Sequence, residues 1–374
     1  MKIRAAVLRS MGHARPYVDS KPVTIEQIEL AAPGPGEMLV KMLAAGICHS
    51  DLSVVDGSRP RVMPMVLGHE ACGEVVECGG GVADFAPGDR VVFSFVPVCG
   101  HCPQCAQGRA ALCEPGAKSN VAGTLLTGAR RVRDASVELN HHLGVSGFAE
   151  YAVVSPRSAV KIDRDLAPEI AALFGCAVLT GVGAAVNTAR IQPGQSVAVI
   201  GLGGVGLAAL LGARACGAQP IVAVDVVQSK LELARALGAT HVIDARAGDV
   251  AAMVKDVTGG GADVVLETAG GAQTLAQAYA ATRRGGTTVT MSLPDPKVPL
   301  QIPAVSLVVE ERTLKGSYMG SAVPSRDVPR YIALYRAGRL PVEQLLTHTM
   351  KLDELNLGFD RLARGEAVRQ VILF

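Results

Sequence analysis

The sequence predicts an α/β chain in two parts, a β-rich first half and a doubly wound, parallel-sheet second half. From Val7 to about Val92, short apolar runs alternate with turn signals such as Pro33-Gly34-Pro35-Gly36 and Pro87-Gly88-Asp89, the pattern of non-repeating β structure. From about Thr180 onward, short apolar strands alternate with helical stretches, which calls for parallel strands joined by crossover helices. At 374 residues the chain also exceeds what one ordinary core serves. The expected division is 1–179 for the first domain and 180–317 for the second. The tail, 318–374, ends in the strand-like Val371-Ile372-Leu373-Phe374 and is expected to return to the first domain.

Composition narrows the function classes. A formal charge of +2 without a basic run argues against nucleic acid or an anionic membrane as partner. The N-terminus lacks the apolar segment of a signal peptide, and the longest apolar candidate, around 197–224, is broken by glycines and by Arg214. Nine cysteines, odd in number and clustered, point to metal binding in a reducing cytoplasm rather than to a secreted disulfide framework.

In the first half, Gly46-Ile47-Cys48-His49-Ser50-Asp51 and Gly68-His69-Glu70 bring thiol, hydroxyl, carboxylate and imidazole groups into one stretch. Zinc takes Cys sulfur and His nitrogen, and a catalytic site keeps a position open. Cys48 and His69 need a third ligand; Cys176, after Phe174-Gly175, is the candidate, and His49 is another on the residues alone. Asp51 and Glu70 are candidates to orient the ligating imidazole. Cys72 and Cys78 have no motif around them and read as small buried hydrophobes.

Cys99, Cys102, Cys105 and Cys113 follow, four thiols within fifteen residues rich in Gly and Pro. They can close around one tetrahedral ion, which describes a structural zinc lobe. A bacterial iron–sulfur run has three residues before its last Cys, and this one has seven. His101 reads as a bystander. Glu114 to about Leu139 reads as loop. The His141-His142 pair reads as structural, because neighbours on a strand point to opposite faces. Strand character resumes from Phe148 to Val154.

In the second half, Ser196–Ile200 reads as a buried strand. Gly201-Leu202-Gly203-Gly204-Val205-Gly206 follows, then a helix to about Cys216 and a strand Ile221–Val224 ending at Asp225, 19 residues after Gly206. Strand, glycines, helix, strand and acid in this order form a dinucleotide-binding unit, with the pyrophosphate at the helix N-terminus. Asp225 suits an adenosine ribose and would repel a 2′-phosphate; Val226, Val227 and Gln228 add no cation, so NAD is favoured over NADP. Helices at 230–237, 250–257 and from Ala272 alternate with strands at 241–243, 262–266 and 287–291.

Taken together, the Cys/His site, the four-Cys lobe and the nucleotide unit resemble the zinc-dependent medium-chain alcohol dehydrogenases of the two-zinc, liver-like type, over essentially the whole chain. The resemblance implies a GroES-like β-rich catalytic domain and a Rossmann cofactor domain. It implies two Zn²⁺ per chain, a catalytic one on Cys48, His69 and Cys176 with Glu70 close behind, and a structural one on Cys99, Cys102, Cys105 and Cys113. It places His49 and Arg369 against the cofactor pyrophosphate, Lys230 at the adenosine ribose, and Thr180 and Val205 at the nicotinamide. A homodimer joined through the cofactor domains is also implied. The implied reaction oxidises a primary alcohol to an aldehyde, or the reverse, with zinc lowering the hydroxyl pKa, Ser50 taking the proton and NAD taking the hydride.

Two departures bear on substrate. Ser53 stands where liver-type relatives carry a histidine that ends the proton relay. Arg59 and Ala117 stand where glutathione-dependent formaldehyde dehydrogenases place an acid and an arginine, which disfavours a glutathione adduct. Phe95, Leu143 and Leu293 match pocket-lining positions and suggest an apolar primary or aromatic alcohol, while Arg59 near the mouth would suit a negative group. The formaldehyde enzyme is the alternative within the class. A non-catalytic zinc- and NAD-binding sensor is the alternative outside it, and a thiol redox switch on Cys99–Cys113 a further one.

Overall fold

The strand Met38–Ile47 is buried along most of its length, as a ten-residue run with a single Lys demands, and the first unit is built on it. On one side it pairs antiparallel with Glu70–Cys78, which pairs in turn with Arg90–Phe93 and then Ala159–Ile162. Its other side is shared by two strands. Tyr151–Val154 covers Met38 to Lys41, and Arg369–Leu373 covers Ala44 to Ile47, carrying Leu346–Met350 outside it in parallel. The last strand of the chain is thus held at the Cys48 end of the sheet. Beside it, Lys2–Leu8, Val23–Leu30, Val132–Asp134, Val137–His141 and Met65–Val66 close into a small barrel filled by Ile3, Val7, Ile28, Leu30, Val66 and Leu139.

The computed structural model describes residues 1–135, 137–295 and 297–374. The first unit comprises Met1–Cys176, Val323–Pro329 and Leu346–Phe374; the second comprises Ala177–Ala322 and Arg330–Leu345. Within the second, a parallel sheet runs in the order His241–Asp244, Ile221–Asp225, Val197–Ile200, Ala262–Glu267, Thr282–Thr290, Thr313–Gly316. Strand order reverses beside Val197–Ile200, the place where such sheets bind nucleotides. Among the described residues, no helix is long and apolar enough to cross a membrane.

The stretch read as loop from Glu114 onward instead holds a helix, Glu114–Ala122, and the short strands Val132–Asp134 and Val137–His141. The helix has no apolar stripe to betray it. Its start is fixed by the Cys113 sulfur accepting from Gly116 N (3.4 Å), and Asn120 Nδ2 donates to Phe95 O (2.8 Å). It ends where Gly123 takes φ +66°, a left-handed turn that glycine adopts without strain.

His141 belongs to this barrel. Its Nε2 accepts from Arg131 N (3.2 Å) and its Nδ1 lies 3.2 Å from Ser146 Oγ, so the neutral tautomer is the one the surroundings bind. Burial pushes its imidazole down to about 4, with Arg130 and Arg131 adding to the effect. The folded value lies below the unfolded one of about 6.5, so its contribution is complete above that pH and lost as pH falls toward 4. Between pH 8 and pH 5 the loss from this group is about 2 kcal/mol. Urea unfolding at the two pH values should therefore show His141→Asn losing about 2 kcal/mol less than the unsubstituted chain. Equal losses would exclude His141 as the titrating group.

Candidate metal centre

Cys48 follows directly on the central strand Met38–Ile47 and precedes the helix His49–Val55. Its backbone N–H donates to Asp51 Oδ2 (3.0 Å), which fixes the turn. The register Gly46↔Glu70 brings His69 to the same end of the sheet. The chain reaches His69 through Gly68 at φ +94°, where a Cβ would lie 2.4 Å from Phe148 N. Cys176 enters past Gly175, whose added Cβ would strike Phe93 O at 2.2 Å. Three separate segments thereby converge: the ligand atoms of Cys48, His69, Glu70 and Cys176 all lie within 4.8 Å of one another, and all four residues are buried.

The buried thiols share their protons unevenly. A hydrogen bond from the Cys176 thiol holds the Cys48 sulfur well below the ordinary thiol range, with His69 and Arg369 contributing, while Cys176 is driven up by the same bond and by burial. Burial would raise Asp51, but His69 and then His142 hold it below the usual carboxylate range. Burial also presses the Glu70 carboxyl up, to about 7, against the pull of Arg369. Glu70 Oε2 accepts from Arg369 Nη2, and both side chains are essentially inaccessible. The Glu70 side chain lies across Gly46, where a Cβ would sit 2.5 Å from Oε1.

His69 provides the test of whether this cluster suits a metal. Its Nδ1 is taken by Asp51 Oδ1 at 3.0 Å, whereas its Nε2 is buried with no hydrogen-bond partner among the described residues. A buried ring nitrogen left unpaired costs about 1–3 kcal/mol. Two thiols and an imidazole nitrogen are the donors zinc prefers, so the residues fit that ion.

The second cluster fits as well. The sulfurs of Cys99, Cys102, Cys105 and Cys113 lie within 4.8 Å of one another. Cys99 and Cys105 are 3.9 Å apart, close to the edge of about 3.8 Å that a tetrahedron of 2.3 Å Zn–S bonds requires. Backbone N–H groups of Cys99 and Cys102 donate to the sulfurs of Cys113 (3.2 Å) and Cys99 (3.3 Å), bonds that favour thiolates. His101 turns its Nδ1 to Cys99 O (3.0 Å), away from a ligand's role.

Of the other residues singled out in the sequence, Phe95 stands edge-on to His69 at 5.9 Å, and Arg369 is buried against Glu70. Leu143 is buried, Arg59 and Ser50 are half-buried, and His49 is exposed at the start of its helix. Ser53 Oγ donates to Ser50 O (3.0 Å). In the second unit, a Cβ on Gly206 would lie 1.8 Å from Gly201 O, whereas one on Gly203 would meet nothing within 4 Å. The loop is thus tight within itself and open on one face, the cradle a pyrophosphate needs. Gly204 and Val205 begin the helix Gly204–Ala215, and Thr180 is buried in Ala177–Gly183. Asp225 Oδ2 accepts from Leu202 N (2.6 Å), and its Oδ1 from Val226 N and Val227 N. Lys230 lies half-buried on Gln228–Ala236, and Leu293 is exposed beyond Thr282–Thr290.

Sequence reasoning missed His142. The structural reading suits His141, but His142 is buried with Nδ1 3.2 Å from Asp51 Oδ1 and its ring 5.4 Å from that of His69. The alternation that turns His141 into the barrel turns its neighbour toward the cluster.

Two family models match the chain. The alcohol dehydrogenase GroES-like domain covers residues 34–164 and the zinc-binding dehydrogenase domain residues 204–337. A putative alcohol dehydrogenase D of Mycobacterium tuberculosis is 40% identical over 377 residues, spanning 100% of both chains. An NDMA-dependent alcohol dehydrogenase of Amycolatopsis methanolica is 39% identical over 100% of this chain and 99% of its own. The crystal structure of benzyl alcohol dehydrogenase from Acinetobacter calcoaceticus matches with a TM-score of 0.93 at 33% identity, over 100% of this chain and 99% of that one. With a GroES-like part, a doubly wound cofactor-type sheet and a Cys/His cluster that fits zinc, the chain belongs to the zinc-dependent medium-chain alcohol dehydrogenase family.

Proposed function

We propose that this protein oxidises a primary alcohol, aliphatic or aromatic, to its aldehyde with NAD as acceptor, and runs the reverse reaction. The observation that carries this is the buried Cys48–His69–Cys176 cluster, in which Asp51 fixes one nitrogen of His69 and leaves the other unpartnered. When bound, zinc supplies the Lewis acidity that lowers an alcohol's pKa, and NAD supplies the hydride acceptor. Cys48, His69 and Cys176 hold the ion, and Asp51 sets the tautomer and angle of His69. Ser50, two residues from Cys48, takes the hydroxyl proton. Ser53 spends its hydroxyl on a backbone carbonyl, so it does not extend the relay. The four-Cys cluster takes the second, structural zinc.

For the cofactor, Gly201, Gly203, Gly204 and Gly206 cradle the pyrophosphate, with His49 and Arg369 as its cations. Asp225 and Lys230 bind the adenosine ribose, and Thr180 and Val205 the nicotinamide. Phe95, Leu143 and Leu293 give the pocket an apolar wall, with Arg59 at its mouth. The activities by which the Amycolatopsis and Acinetobacter relatives are named support an alcohol as substrate. Nine free cysteines support a reducing, cytoplasmic setting.

The first test is NADH formation by zinc-replete protein on benzyl alcohol, straight-chain primary alcohols, and formaldehyde with glutathione. Turnover on the first two without glutathione is expected; silence with zinc and NAD bound would overturn the proposal. Cys176→Ser should abolish turnover while NAD still binds. Asp225→Gly should shift the NAD-over-NADP ratio of kcat/KM by roughly 10-fold or more, the worth of a lost charged hydrogen bond, and an unchanged ratio would remove the ribose role. Val298, Val305, Val308 and Val309 are 53%, 66%, 77% and 55% exposed on the second unit. Such an apolar surface supports a homodimer through the cofactor domain, and light scattering should return twice the chain mass.

A further inference from the structure

His142 carries two polar atoms that the proposed reaction does not use. Its side chain is 1% exposed, and among the described residues neither ring nitrogen meets a hydrogen-bond partner in good geometry. Yet Nδ1 lies 3.2 Å from Asp51 Oδ1, the same oxygen that accepts from His69 Nδ1 at 3.0 Å. The other Asp51 oxygen accepts from the backbone N–H of Cys48. One buried carboxylate therefore ties together the Cys48 turn and the His69 ring, with His142 as its third neighbour. The His142 ring also stands at 89° to that of His69, centroid to centroid 5.4 Å, while Phe95 stands at 89° to it at 5.9 Å. His69 is thus gripped by two rings and one carboxylate.

We propose that His142 is a positioning residue that anchors Asp51, so that Asp51 holds His69 with its Nε2 aimed at the metal. The physical need is plain. With Oδ2 held by the Cys48 N–H, the carboxylate can still tilt at Oδ1, and any tilt there rotates the imidazole it holds. A second group on Oδ1, from a different chain segment, limits that tilt and with it the motion of the ring. Partners that hydrogen-bond a ligand govern metal affinity by about 10–100-fold, and His142 acts through such a partner, Asp51. The inference rests on Cys48, His69 and Cys176 being the metal ligands.

Two variants separate donor from packing. His142→Phe keeps a flat ring beside His69 and removes the donor; His142→Asn removes the ring and keeps an N–H donor near the Nδ1 position. Each is loaded with zinc, and release to a chelator is followed, the four-Cys zinc serving as internal reference; cobalt substitution gives a visible spectrum of the catalytic ion alongside. The expected result is a 10–100-fold weaker hold on the catalytic ion in His142→Phe with an altered cobalt spectrum, near-native retention in His142→Asn, and an unchanged four-Cys ion in both. Should His142→Phe fail to fold, near-native retention and spectrum in His142→Asn support the donor role by themselves, because packing alone predicts their loss. Native retention in His142→Phe, or equal weakening in both variants, would overturn the inference while leaving the ligand assignment intact. An unsubstituted chain that binds only the four-Cys ion would overturn the ligand assignment and the inference together.

Discussion

The carboxylate of Asp51 is fully buried, and a buried charge is tolerated only where several donors meet it. Here Oδ2 accepts from the backbone N–H at the Cys48 turn, Oδ1 is paired with His69 at the strand entry, and His142 at the barrel exit stands 3.2 Å from Oδ1. Satisfying that one anion brings three chain segments into fixed relation. Two of the proposed metal ligands take their geometry from it: the Cys48 turn closes on one oxygen and His69 is oriented by the other. A similar bond is repeated at Glu70, which is also fully buried and meets Arg369 from the last strand. That pair helps hold the chain's end to the sheet beside Ala44 to Ile47, since Glu70 offsets the desolvation of Arg369 there.

Much of this was legible in the sequence, and the reasons are local. The nucleotide unit is a run of contiguous signals, strand then glycines then helix then acid, so its place in the parallel sheet could be read without knowing the rest. The four-Cys lobe is equally compact. Cys48 and His69 could be paired because glycines flank both and metals demand such donors. Cys176 could only be nominated. Its approach depends on Gly175 passing under Phe93 O, a contact between segments more than eighty residues apart that leaves no periodic mark.

The residues that were not legible share one cause: their roles are set by register. Met65–Val66 pairs in parallel with Val137–His141, with Val66 opposite His141. Three residues beyond Val66 the chain reaches His69, and one beyond His141 it reaches His142. Two histidines 73 positions apart in sequence are therefore delivered side by side by a two-residue strand that no pattern would single out. The helix Glu114–Ala122 escaped for a related reason. It is held by the Cys113 sulfur and by Asn120 rather than by an apolar face, so hydrophobic period was silent where tertiary contacts were decisive.

Charge explains why the two proposed metal sites differ in their surroundings. With zinc bound, four thiolates leave the lobe at −2, which backbone N–H groups at Cys99, Cys102 and Gly116 offset and which the half-exposed Cys105 shares with water. Two thiolates and a neutral imidazole instead cancel the ion's charge, so the Cys48–His69–Cys176 site can be buried throughout. Glu70, the fourth donor group within reach and the one that offers oxygen, would carry that site negative were it not matched by Arg369. Arg369 therefore has two consequences from one contact. It keeps the buried charges balanced, and it occupies one of the two Glu70 oxygens.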